Sequence, residues 1–132
     1  MTRPKPALLA CLALLGVLAS GCGQSIEVSE KDPNSPVRKG AVLFNERCSG
    51  CHTLTAAAAQ GSKPERQVSG GERTNGPNFN TRKESRDDVL FAIRNGGFSG
   101  AIMPANIVVG RDAGYVADFV SKYAGKKSSS GD

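Results

Sequence analysis

Cys48-Ser49-Gly50-Cys51-His52 is the stretch on which the reading of this chain turns. Two thiols three positions apart lie about one helical turn from each other, and an imidazole follows the second directly. Each thiol can add to one of the two vinyl groups of a haem, and a His in that place then points at the iron; Cys-x-x-Cys-His is the haem c attachment string. Three other chemistries use paired cysteines. A dithiol redox motif wants a βαβ context, and no strand pattern precedes Cys48. A zinc site needs four ligands, whereas His52 is the single His of the chain and no Cys follows Cys51. A structural disulfide across two residues suits an oxidising compartment but leaves the His unexplained. Haem attachment uses all three residues, so the expected cofactor is one haem c, covalent through Cys48 and Cys51.

His52 supplies one axial ligand, which leaves the opposite face of the iron. No second His exists, so bis-His ligation within one molecule is excluded. Met is the usual partner in cytochromes. The chain has 2 Met, Met1 at its start and Met103 in Ile102-Met103-Pro104, and elimination nominates Met103. The competing role for one Met beside a Pro is that of a core gap-filler.

Outward from the motif, the apolar pattern is helical. Val37, Ala41, Phe44 and Cys48 recur at intervals of three and four and predict a helix running to about Cys48. A second begins near Ser85, whose hydroxyl can cap the amides ahead of Asp87 and Asp88; Val89, Leu90 and Ile93 form its apolar face, and Gly96-Gly97 ends it. A third starts with Asp112 as cap, carries Val116, Phe119, Val120 and Tyr123 on one stripe, and stops at Gly125. These predict an all-α domain of about three helices wrapped around one haem. The segment from Ala56 to Thr74, rich in Gly, Ser and charge, is expected to be a long surface loop with a short helical turn over its alanines. With 16 Gly, no Trp and 5% aromatic residues, the chain is short of apolar mass, which a bound group could supply.

The N-terminus carries Arg3 and Lys5, then an apolar run from Ala7 to Leu18, then small residues up to Cys22. That is the build of a secretory signal, and the run is shorter than the roughly 20 residues a spanning helix needs. Leu18-Ala19-Ser20-Gly21-Cys22 resembles the lipobox of bacterial lipoproteins, although that family more often has Leu where Ala19 stands. The resemblance implies acylation of Cys22 and a lipid anchor, each buried methylene contributing about 0.8 kcal/mol. An ordinary signal peptide with an incidental Cys and an uncleaved signal anchor are the alternatives. The expected organisation is a lipoprotein-type signal over 1–21, a flexible linker from lipidated Cys22 over 22–36, the folded domain over 37–125 and a flexible tail over 126–132. The net charge of +5 includes two cations of the signal. With no basic stripe interleaved with aromatics, a nucleic-acid partner is not expected.

Over Val37 to Ala124 the domain resembles class I cytochromes c. Gly40 and Phe44 match positions where that family packs its first helix on its last, here Tyr115 to Tyr123. Gly76-Pro77-Asn78-Phe79 is similar to the family's Gly-Pro-Asn-Leu turn, which implies that the Pro77 carbonyl orients His52. Asn95-Gly96-Gly97 to Met103-Pro104-Ala105 resembles the Met-ligand loop. The family's Trp for a haem propionate is missing, and Arg73, Arg82 and Asn78 are the candidates in its place. The resemblance implies an electron carrier rather than an enzyme, with Cys48, Cys51, His52, Pro77 and Met103 around the haem and His52 and Met103 on the iron. It further implies membrane-bound donor and acceptor complexes as partners of a protein anchored on the outer face of the bacterial cytoplasmic membrane. The haem edge near Cys51, Phe98 and Ala101 is the expected docking face. A bound subunit of a larger respiratory or dehydrogenase complex is the alternative, and a sensor or peroxidase a further one if Met103 is labile.

Overall fold

The computed structural model describes residues 25–61, 76–97 and 103–126. The expected signal with Cys22, most of the expected loop with Arg73, the residues Phe98 and Ala101, and the expected tail from residue 127 lie outside them. Three helices are present among the described residues: α1 (Pro36–Arg47), α2 (Arg86–Asn95) and α3 (Gly110–Tyr123). Each start has a local cause. Ser35 caps α1, its hydroxyl accepting from the Arg38 N–H at 3.1 Å, with Pro36 at the first helical position, where a missing N–H costs nothing. Ser85 caps α2 as expected, accepting from the Asp88 N–H at 3.1 Å, and Asp87 and Asp88 face the positive end of the helix.

The expected cap of α3 is corrected: the helix starts at Gly110, with Val109 at the cap position and no side-chain cap bond. Asp112 therefore sits inside the first turn, where its charge favours the helix dipole instead of closing an amide.

The core lies where α1 crosses α3. Ala41, Phe44, Val116, Ala117, Phe119 and Val120 are all at most 2% exposed, and the Phe44 and Phe119 rings meet edge to face at 5.7 Å. Gly40 sets the closeness of the crossing. A Cβ there would overlap the Tyr115 carbonyl and come within 2.8 Å of the Phe119 Cβ. On the other side of α3, Arg86 of α2 ion-pairs with Asp118 at 2.6 Å.

Two parts of the structure differ from what the sequence led one to expect. After His52 the chain forms a small antiparallel hairpin, β1 (Thr53–Leu54) with β2 (Ala59–Gln60), joined by a 3₁₀ turn at Thr55–Ala57. The helical turn expected over the alanines is thus one 3₁₀ turn, and the segment from Ala56 to Gln60 belongs to the packed domain, with Ala57 and Ala59 in the core. The Asn45 side chain of α1 donates to the Ala57 carbonyl at 2.8 Å and holds the hairpin to the helix.

The second difference is the N-terminal arm. Residues 25–34, expected to be free linker, are laid against the domain. Ile26 and Val28 pack on the core, and the Glu27 N–H donates to the Ala56 carbonyl at 2.9 Å. Farther along, the Tyr123 hydroxyl accepts from the Ser29 N–H at 2.7 Å and donates to the Glu30 carboxylate at 2.9 Å, while Lys122 ion-pairs with the same carboxylate. Apolar residues inward and polar ones outward, alternating from Ile26 to Ser29, are the period of an extended segment on a surface.

The Lys122 ammonium is the main reason the Glu30 carboxyl is held down to about 2 from an ordinary 4.5. Because the folded value lies below the unfolded one, the clasp contributes stability above about pH 4.5, and the contribution is lost as pH falls towards 2. Denaturant midpoints should therefore separate wild type from Glu30→Gln at pH 7, and the gap should shrink between pH 4.5 and 2. A gap independent of pH would show that the carboxylate charge adds nothing.

Candidate cofactor site

The site is built at the C-terminal end of α1. The Cys48 N–H donates to the Phe44 carbonyl at 2.8 Å, and the His52 N–H donates to the Cys48 carbonyl at 2.9 Å, so one tight turn carries both thiols and the imidazole. Cys48 and Cys51 are free thiols. Burial, with the neighbouring Cys51 as a second cause, pushes the Cys48 thiol up to about 11. A dithiol oxidoreductase needs the opposite, a thiolate favoured at neutral pH, so that reading of the Cys pair loses ground.

The segment from Gly76 runs beside β1 and zips onto it. The Gly76 N–H donates to the Cys51 carbonyl and the Phe79 N–H to the Thr53 carbonyl, both at 2.8 Å. The Asn80 side chain then accepts from the Thr55 N–H at 2.8 Å and donates to the Thr55 hydroxyl at 2.9 Å. This register brings the Pro77 carbonyl to His52 Nδ1 at 3.2 Å. A carbonyl can only accept, so Nδ1 carries the proton and the lone pair is on Nε2, the arrangement of a metal-binding imidazole. Burial lowers the His52 pKa, opposed by the Pro77 bond; the ring is therefore held in its neutral form. Gly76 lies so close to this ring that a Cβ would stand 2.5 Å from Nδ1 and 2.8 Å from Nε2.

Cys48, Cys51, His52 and Pro77 are thus brought together. Met103 is held on a separate segment that folds back on the end of α2: its carbonyl accepts from the Gly97 N–H at 3.3 Å, and the Asn106 N–H donates to the Ile93 carbonyl at 2.7 Å. Its side chain is half-buried against the core. Of the propionate candidates, Arg82 pairs with Glu84, and the Asn78 side chain accepts from the Asn80 N–H at 2.9 Å within its own turn.

The crystal structure of the c-type cytochrome SorU from Sinorhizobium meliloti is similar to this chain, with a TM-score of 0.53 and 34% identity over 70% of this chain and 94% of that one. The chain belongs to the c-type cytochromes. No family model and no curated protein matches it. The residues of this cytochrome fit the haem that the family name implies: two unpaired thiols on one turn, an imidazole with Nε2 left to donate, and a glycine where a side chain would strike that imidazole.

Two residues of the site were not legible in the motif. Asn80 ties the turn to Thr55, and Phe79 stacks on His52 with ring centroids 4.9 Å apart. The signal for Phe79 was its departure from the Leu of the resembled turn.

Proposed function

We propose that this cytochrome carries single electrons, with a haem held by thioether bonds to Cys48 and Cys51 and its iron held between His52 and Met103. The observation that carries the reading is the His52 ring, proton on Nδ1 towards Pro77 and lone pair on Nε2, on the same turn as two free thiols. The free thiols of Cys48 and Cys51 would hold the haem covalently. When bound, the haem supplies a one-electron couple. Pro77 fixes the tautomer of His52 and raises its basicity. Met103 would supply a soft thioether, which favours the ferrous state. Cys22 carries the lipid, the protein is anchored on the outer face of the cytoplasmic membrane, and membrane-bound complexes donate and accept the electron.

The test is the optical spectrum of the haem-loaded protein in both oxidation states. Sharp low-spin bands are expected, with the weak red band of ferric iron bound to thioether sulfur. A high-spin spectrum, or immediate uptake of carbon monoxide by the ferrous protein, would overturn the ligand pair.

A further inference from the structure

Neither the Cys-x-x-Cys-His string nor the Gly76-Pro77 turn requires an aromatic residue at position 79. Yet the Phe79 ring lies flat on the His52 imidazole, the planes within 9° and the centroids 4.9 Å apart. Phe44 meets the two differently, edge-on to Phe79 at 6.0 Å and tilted to His52 at 6.3 Å. The stack is registered by backbone as well as by packing. The Phe79 N–H donates to the carbonyl of Thr53, the residue after His52, and its own carbonyl accepts from the N–H of Gly125 beyond the end of α3, both at 2.8 Å. The Phe79 backbone is therefore anchored on both sides of its ring.

The stack meets a physical need of the ligand ring. The bond from Nδ1–H to the Pro77 carbonyl fixes one point of the imidazole but leaves the ring free to swing about that point, and a flat neighbour removes the swing.

The geometry points to Phe79 as a positioning residue for the His52 ligand: its flat face, beyond its apolar bulk, holds the imidazole plane and with it the bond to Pro77. The inference rests on the reading of His52 as an axial ligand. It is tested on the haem-loaded protein with two readouts, the solvent exchange rate of the His52 Nδ1 proton by NMR in the ferrous state and the anisotropy of the ferric EPR spectrum. Phe79→Leu keeps the apolar volume and removes the face; exchange should become at least tenfold faster and the principal g values should shift. Phe79→Tyr keeps the face and should restore both to wild type. Phe79→Met serves the same comparison if the branched Leu does not seat in the fold. A Leu or Met variant that matches wild type in both readouts overturns the inference, as does a Tyr variant disturbed as much as they are. If the ligand reading itself is wrong, the failure appears in the wild type, whose ferric spectrum then lacks the signature of an axial imidazole.

Discussion

In the haem-loaded protein, Met103→Ala is expected to lower the reduction potential on the order of 0.1 V, a part of the roughly 0.8 V that axial ligands span across haem proteins. The sign follows from the thioether: a soft sulfur favours ferrous iron, so its removal leaves the ferric state relatively more stable. The same change opens the iron, and the ferrous protein should take up carbon monoxide that wild type refuses. Met103 also packs against the core, so truncation alone would cost some stability even if the sulfur touched no metal. Met103→Leu separates the two roles. A ligand role predicts that the Leu protein behaves spectrally like the Ala protein, although its volume is restored. A Leu variant with the wild-type potential and red band would reduce Met103 to a packing residue.

Gly40→Ala is expected to cost stability although it adds only one methyl group. On an open helix surface the change should stabilise by up to about 1 kcal/mol, because Ala is the better helix former. Here the new Cβ would overlap the backbone carbonyl of Tyr115 and press on the Phe119 Cβ at 2.8 Å. Backbone cannot swing aside as the end of a side chain can, so α1 and α3 must separate over the core that Phe44 and Phe119 close. Overpacking of this kind costs about 1–3 kcal/mol and occasionally more, against a total of about 5–15 kcal/mol for a domain. The measurement is the denaturant midpoint, with Val42→Ala on the exposed side of the same helix as control. The sign of the Gly40 effect decides the matter: a raised midpoint would mean that the helices do not meet as closely as described.

The parts of this protein that were legible in its sequence are those whose physics is local. Cys48, Cys51 and His52 declare themselves because three residue types at fixed spacing share one use. The start of α2 was legible because Ser85, Asp87 and Asp88 form a cap and a dipole partner within four residues. The N-terminal arm was not legible, for its partners are distant: Glu27 bonds to Ala56, and Ser29 to Tyr123 across 94 positions. Two apolar residues, Ile26 and Val28, among charges and prolines make too short an alternation to tell from linker. The hairpin at Thr53–Gln60 failed for a related reason, since four alanines favour a helix by propensity, and what overrides them is the Asn45 side chain of α1 and burial in the core. The role of Phe79 is also tertiary, visible only once the turn is seen lying along β1.

The docked arm changes the mechanics of the proposed anchor. Had the chain been free from Cys22 to the cap of α1 at Ser35, its thirteen residue-to-residue steps could have spanned about 45 Å, enough for the domain to roam well clear of the bilayer. With Ile26 already seated, four residues remain, a leash of about 13 Å at full stretch. That is on the order of the radius of a domain this size. With the lipid on Cys22, the carrier would move as a puck over the membrane rather than as a buoy above it. Its partners would have to offer their redox centres low, beside the lipid headgroups, and exchange would depend on lateral diffusion and on which way the puck is turned.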